Sequence, residues 1–309
     1  MTPLIQLAPI KGVTDRVFRN IFASHFSGID SALAPFIIKG ESESRIKSLA
    51  PEMNPFIKTV PQILSKSSDD FTALAGKLAD YGCKEVNWNL GCPFAMVVKR
   101  GEGAAMLQYP EAVASFLERV IPSLKVPLSV KVRLGMYSSD EIMKVVPVLN
   151  SFPIKEITIH PRTGEQMYDG VTDISAFRRV VEVSSHPVIY NGDIKTADDY
   201  KRLSHSLSGV KGWMIGRGLL ENPFLAMEIK EGESLTGSVR MEKLKNFADD
   251  LFDAYVNELH SPAHVLDKMK GVWFYLSGSF SDSRKTAKRI RKTYSLDHYR
   301  DEVERIFSG

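Results

Sequence analysis

The sequence predicts a closed (β/α)8 TIM barrel followed by a small C-terminal helical bundle domain, and three observations carry that expectation. Between residues 4 and 216, short apolar, β-branched runs alternate with longer amphipathic stretches, the pattern of repeated strand–helix units around a buried parallel sheet. Eight such runs occur, which suits a closed ring better than an open doubly wound sheet. The GxGxxG fingerprint of a dinucleotide-binding open sheet is also missing, since Ala8-Pro9-Ile10-Lys11-Gly12 after the first run offers a single glycine.

In chain order the strand-like runs are residues 4–8, 29–36, 58–64, 85–89, 128–132, 156–160, 188–190 and 212–215. Helix-like segments at 14–26, 68–81, 110–120, 140–150, 174–184 and 196–204 lie between them. After about residue 238 the pattern changes. Residues 240–307 have helical period throughout, broken at Ser261-Pro262, Ser277-Gly278 and Tyr294-Ser295, so three or four helices are expected. The boundary near 232–237 divides the chain into a barrel domain, residues 1–237, and a helical domain, residues 238–309.

A chain of 309 residues with 43% hydrophobic content is large enough to bury a full barrel core. No stretch approaches the roughly 18 to 20 apolar residues that a membrane span needs. The first twelve residues run straight into an apolar strand pattern with no basic leader or cleavage site, so a cytoplasmic, monomeric protein without membrane contact is expected. Two cysteines, Cys83 and Cys92, are too few for a disulfide framework or a cysteine-only zinc site. His260 and His264 are four residues apart, but Ser261-Pro262 breaks the helix between them, and no metal site is expected. A net charge of +3 is only a weak reason to expect an anionic partner; where the charges fall says more.

Barrel active sites form at the carboxyl ends of the strands, and polar residues recur just where these apolar runs stop. Gln62 ends the third, Asn89 the fourth, Lys131 and Arg133 the fifth, and His160 and Arg162 the sixth. Asn191-Gly192-Asp193 follows the seventh and Gly216-Arg217-Gly218 the eighth. One polar strand end is ordinarily satisfied by a neighbour, whereas six mark a mouth. The glycines after the last two strands suit close approach of backbone N–H groups to a phosphate, with a helix from Leu219 adding its positive end, although ordinary glycine turns read the same way. Alternation sends Lys131 and Arg133 to the barrel interior, where a cation needs an anion. Cys92, in Asn89-Leu90-Gly91-Cys92-Pro93, faces the same mouth, while Cys83 reads as a packing residue. A lone cysteine is more often structural than catalytic, and only the strand-end position raises Cys92 above that.

These motifs, taken in order, resemble the tRNA-dihydrouridine synthases across nearly the whole chain. They are residues 7–15 (LAPIKGVTD), Asn89 to Pro93, residues 129–135 (SVKVRLG), Ile159-His160-Pro161-Arg162-Thr163, Asn191-Gly192-Asp193-Ile194 and Ile215-Gly216-Arg217-Gly218. The resemblance implies FMN at the barrel mouth. Pro9, Ile10, Lys11, Gln62, Lys131 and His160 would lie near the isoalloxazine, and Asn191, Gly192, Asp193, Gly216 and Arg217 near the phosphate. It further implies that NADPH or NADH reduces the flavin, that hydride then passes to C6 of a uridine swung out of tRNA, and that Cys92 protonates C5. Asn89, Arg133, Arg162 and Tyr168 match positions that touch the RNA or the target base. The chain departs from the family pattern at Ile10 (usually methionine), Phe94 (usually small and polar) and Ala34-Pro35-Phe36 (usually containing glutamate), all bearing on the shape of the uracil pocket.

Residues 284–292 (RKTAKRIRK) carry six cations and no acid, and Arg284, Lys285, Lys288, Arg289 and Lys292 share one helical face. The expected role is to grip tRNA phosphates. A small-molecule flavin barrel of the dihydroorotate dehydrogenase type is the alternative enzyme, but it has little use for this cationic tail. A flavin-free RNA-binding barrel is the alternative without chemistry.

Overall fold

The computed structural model describes residues 2–308, which form nine parallel strands: β1 (Ile5–Leu7), β2 (Ser31–Leu33), β3 (Thr59–Val60), β4 (Gln62–Ile63), β5 (Val86–Leu90), β6 (Leu128–Gly135), β7 (Ile154–Thr163), β8 (Val188–Tyr190) and β9 (Val210–Ile215). Their order in the sheet is β3-β2-β1-β9-β8-β7-β6-β5-β4. The two ends of that order are halves of one segment split by Pro61, which has no N–H to give to a ladder. Its first half pairs with β2 through Ala32↔Thr59 and its second with β5 through Gln62↔Asn87, so the segment closes the ring. Nine strands thus make eight staves, and the expected run 58–64 is the kinked stave.

The pleat sorts the side chains. On β5, Val86, Trp88 and Leu90 face outward into the layer between sheet and helices, where Trp88 stacks on Phe116 at 3.9 Å. Asn87 and Asn89 point into the lumen. A small apolar plug of Ala8, Leu33, Val60, Ile189 and Met214 fills the lumen beneath the mouth. β7 runs three residues past the expected end at His160. Its pairing with β8 stops at Ile159↔Tyr190 while that with β6 continues to Gly135↔Thr163, so Pro161 needs no donor on the β8 side.

Helices start where the sequence supplies caps: Asp15 accepts from the Phe18 amide, Ser67 from Asp70, and Thr196 forms a capping box with Asp199. After β9, short helices Arg217–Glu221 and Leu225–Glu231 lead to a bundle of four: Gly237–Glu258, Pro262–Leu276, Ser283–Arg291 and Leu296–Phe307. Its core sets Phe252 against Tyr299 at 4.7 Å and donates the Trp273 indole N–H to the Tyr299 hydroxyl at 2.8 Å. Among the described residues, no helix is long and apolar enough to cross a membrane.

The bundle rests on helix Arg16–His25, whose Phe18, Phe22 and Phe26 surround Phe247 with centroids 5.0 to 6.0 Å away. Asp15 fixes this seat. Besides capping its own helix it accepts from the Tyr255 hydroxyl at 3.0 Å and from Lys268 Nζ at 2.7 Å, and Lys268 also donates to the Gly12 carbonyl. Asp15→Ala removes the cap and leaves the buried Tyr255 hydroxyl without its acceptor. Unfolding in urea is therefore expected to show a loss of about 2–4 kcal/mol, and a change below about 0.5 kcal/mol would contradict the assignment.

Candidate active site

At the carboxyl ends of the strands lies a cavity of ≈ 380 Å³, in the size range of small-molecule sites. It is lined by Pro9, Ile10, Lys11, Gln62, Lys131, His160, Asn191, Gly192, Asp193, Gly216 and Arg217, together with Asn89, Cys92, Arg133 and Tyr168. Sequence reasoning named all of these. Pro35, Phe36 and Phe94, where the chain departs from the family pattern, also line it, with Lys11 above the Phe36 ring at 5.7 Å.

A chain of amides rises from the lumen to Cys92. Asn87 Nδ2 donates to Ser129 Oγ (2.9 Å), Gln62 Nε2 to Asn87 Oδ1 (2.8 Å) and Asn89 Nδ2 to Gln62 Oε1 (2.8 Å). Asn89 Oδ1 then accepts the amides of Gly91 (3.0 Å) and Cys92 (2.8 Å), which fixes the turn that presents the thiol. Arg133 braces this turn by donating to the Gly91 carbonyl at 3.1 Å. On the far side the Ala104 amide donates to the Cys92 carbonyl. That approach requires Gly103, which has φ +60° and whose Cβ would stand 2.4 Å from the same oxygen. Burial pushes the Cys92 thiol above the ordinary cysteine range, opposed by the Phe94 backbone and by the cations of Lys11, Arg133 and Lys131.

The charged lining is five cations, Lys11, Lys131, Arg133, Lys195 and Arg217, against one carboxylate, Asp193. Asp193 is already neutralised by Arg162 and Arg217. Arg133 commits two of its five donors, to the Gly91 and Thr163 carbonyls. Lys131 has no hydrogen bond or ion pair with any described residue, and burial, with Arg133 nearby, brings its pKa down to about 7. His160 is held well below the ordinary histidine range by burial and by Arg133, Lys131, Arg162 and Arg217. Its Nε2 lies 3.2 Å from Arg162 NH1, which can only donate, so His160 is a neutral imidazole carrying its proton on Nδ1.

Two expectations change in detail. Arg162 is 1% exposed and does not line the cavity; it donates to the Asp169 and Gly170 carbonyls and to Asp193, and so braces the wall from behind. The glycines after β8 and β9 serve packing first: a Cβ on Gly218 would stand 2.0 Å from the Ile194 carbonyl oxygen and one on Gly192 2.1 Å from the Tyr190 hydroxyl. The two turns are thereby pressed together and tied by Asn191 Nδ2 to the Met214 carbonyl at 2.8 Å. The amides of Gly192, Asp193, Gly216 and Arg217 bond to no acceptor among the described residues, so they are free for a ligand.

Tyr168, 49% exposed, follows Met167, which has φ +51°; its ring lies against the guanidiniums of Arg133 (5.5 Å) and Arg217 (5.1 Å). Phe274 and Tyr275 of helix Pro262–Leu276 also line the cavity and were missed from the sequence. The signal was present: in Trp273-Phe274-Tyr275 a helix that buries Trp273 must turn Phe274 outward.

On helix Ser283–Arg291, away from the cavity, Arg284, Lys285 and Lys288 are exposed. Arg289 departs from their face: it is half-buried and paired with Glu302 at 2.8 Å, while Arg291 is exposed in its stead. Among the described residues no group of three or more histidine, cysteine or acidic side chains is gathered to hold a metal, and His260 and His264 form no such cluster.

Comparisons with known proteins agree with this architecture. The profile of the dihydrouridine synthase (Dus) family matches residues 6–305. A tRNA-dihydrouridine synthase B of Pasteurella multocida is 30% identical over 261 residues, 83% of this chain and 77% of the relative. A tRNA-dihydrouridine(16) synthase of Pseudomonas putida is 31% identical over 237 residues, 73% of this chain and 72% of the relative. Among solved structures, a variant of NCR from Zymomonas mobilis superposes with a TM-score of 0.55 at 15% identity, covering 76% of this chain and 88% of that one, a likeness of fold alone. With its family profile matched from the first barrel strand into the last helix of the bundle, the chain belongs to the dihydrouridine synthase family.

Proposed function

We propose that the protein reduces the C5–C6 double bond of uridine in tRNA, in the cytoplasm, with FMN at the barrel mouth, NADPH or NADH as reductant and Cys92 as proton donor. The observation that carries this reading is one cavity holding both a buried thiol, raised by that burial, and a half-buried lysine with no counter-ion among the described residues. The residues fit an anionic cofactor. Lys131 would receive its charge, Gln62, the Nδ1–H of His160 and the backbone around Pro9, Ile10 and Lys11 its ring system, and the free amides of Gly192, Asp193, Gly216 and Arg217 its phosphate end. When bound, FMN supplies the hydride that reduces uracil C6.

The remaining steps belong to the chain. A uridine drawn out of the RNA stack enters the mouth at a cost of a few kcal/mol, offset by pocket contacts. Hydride addition leaves enolate-like charge on the uracil, which Arg133 and Lys131 stabilise from the floor. Cys92 then gives its proton to C5, becomes a thiolate facing Lys11, Arg133 and Lys131, and is reprotonated from solvent. The barrel and the bundle divide the labour: residues 1–237 do the chemistry, and the helical domain, residues 238–309, holds the tRNA through Arg284, Lys285 and Lys288.

Incubating the FMN-loaded protein with NADPH and unmodified tRNA is expected to yield dihydrouridine by nucleoside mass spectrometry; no conversion at any position would defeat the proposal. Cys92→Ala should keep its flavin and lose uridine conversion by about a hundredfold or more. Because burial raises the thiol, conversion by the unaltered enzyme should hold through neutral pH and decline only above the ordinary cysteine range.

Lys131 is half neutral near its pKa of about 7, and an anionic ligand prefers the charged form. FMN affinity, measured by fluorescence titration, is therefore expected to weaken as pH rises from about 6 to about 9. Lys131→Met should bind FMN about tenfold more weakly at pH 6 and show no such slope above neutrality. Replacing Arg284, Lys285 and Lys288 together with alanine should weaken tRNA binding and flatten its logarithmic salt dependence by about 0.7–0.9 for each RNA phosphate left unneutralised. Unchanged affinity at low salt would remove the helix from the tRNA footprint.

A further inference from the structure

Two aromatic side chains at the mouth have no part in the chemistry above. Phe94 follows Cys92-Pro93 beyond β5 and is 42% exposed; Phe274 stands outside the barrel on helix Pro262–Leu276 and is 71% exposed. Both line the cavity. Singly exposed rings such as Phe56 and Tyr294 are ordinary on a protein surface; these two differ in sharing one opening, where together they offer a ligand apolar faces.

Their placement narrows what that partner is. Helix Pro262–Leu276 packs on the turn Arg217–Glu221 that follows β9, and Ser279 just beyond it donates to the Glu221 carbonyl. In the ring of eight staves, β9 and β5 are four apart by either route. Phe94 and Phe274 therefore stand on opposite sides of the mouth. Phe274 meets Tyr275 edge to face at 5.0 Å, and the Phe94 backbone is fixed as the cap of helix Ala95–Lys99, its carbonyl accepting the Val97 and Val98 amides. Around them the charged lining is cationic, and its one carboxylate is neutralised. The occupant that suits two opposed aromatic rings above a cationic cavity is a polyanion carrying flat rings.

A nucleotide drawn into a cavity leaves a neighbour on each side of the opening, each with a base face that has lost its stacking partner. An aromatic ring replaces that partner, and does so for any base because every base has a π-face. We propose that Phe94 and Phe274 are two jaws of a grip that stacks on the nucleobases immediately 5′ and 3′ of the reacting nucleotide, one base to each ring. This rests on the RNA-modifying reading of the site and adds a requirement to it: the grip accepts any flanking base but needs one on each side.

The test uses the full-length, FMN-loaded protein and RNA substrates in which one neighbour of the target uridine is abasic. With the unaltered protein, removing either flanking base should lower kcat/KM about tenfold. Phe274→Ala should lower kcat/KM on intact RNA to a similar extent, be indifferent to loss of one flanking base and remain sensitive to loss of the other. Phe94→Ala should show the reverse pattern. Phe274→Tyr, which keeps the π-face, should restore the rate, and because Phe274 is outside the barrel its removal does not disturb the Cys92 turn.

Losses that simply multiply for both flanks, or Phe274→Ala converting intact RNA at the unaltered rate, would overturn the grip. So would an unaltered protein that treats intact and abasic RNA alike, and in each of these cases the functional reading stands. If the unaltered protein reduces no uridine in any RNA, the functional reading itself falls and the grip falls with it.

Discussion

The mouth of this barrel is organised by a positive charge that the protein does not neutralise. In a closed parallel ring the pleat sends alternate side chains inward, and each polar one among them must find a partner without bulk water. Asn87, Gln62 and Asn89 find one another, Arg133 finds the Gly91 and Thr163 carbonyls, and Arg162 finds Asp193 and two carbonyls. The Lys131 ammonium finds no partner among the described residues, and desolvation, with Arg133 nearby, brings its pKa down to about 7. The surrounding features fall into place around it. The single lining carboxylate is tied up by arginines, His160 is neutral and so adds no further charge, and the free amides after β8 and β9 extend the same invitation to an anion.

The same opening is shaped by the bundle, and Asp15 is where the two units engage. Lys268 reaches from helix Pro262–Leu276 to Asp15 and to the Gly12 carbonyl, beside the Lys11 that lines the cavity. Six and seven residues further along that helix, Phe274 and Tyr275 stand at the rim next to the turn that follows β9. Because β1 and β9 are adjacent staves, a single helix spans both neighbouring loops of the mouth. Whatever seats the bundle therefore also sets the rim, and a ligand touching both is read by the two units together.

Much of this was legible in the sequence because it is periodic. Alternation marked the staves and their inward residues, and the polar strand ends that it singled out, from Gln62 to Arg217, are gathered in one cavity with the exception of Arg162. What escaped depends on partners distant in the chain. Arg162 looks like any strand-end cation until Asp193, across the neighbouring stave, draws it inward, and Arg289 shares the face of Arg284 and Lys288 until Glu302 of the next helix turns it. Gly192 and Gly218 read as ligand turns because a sequence does not show that the Tyr190 ring and the Ile194 carbonyl occupy the space a Cβ would need. Pro61 hid within an apolar run that is really a kinked stave, since the pairing on each side of it is tertiary. Phe274 was visible as an outward residue, but which outward face meets the mouth is settled by docking on helix Arg217–Glu221.

The Cys92 thiol and the cationic cavity share their electrostatics, which under the proposed reaction serves both proton transfer and anion binding. Burial lifts the Cys92 thiol, and the Phe94 backbone, Lys11, Arg133 and Lys131 draw it back. These are the same side chains that make the cavity attractive to a cofactor and that would stabilise charge developing on the uracil. Acid strength and ligand affinity are therefore two readings of one field. The thiol is held within that field by the hydrogen bonds of Asn89 and Arg133 to the turn on which Cys92 stands, and Arg133, which is both a brace of the turn and one of the cations, joins the two readings directly.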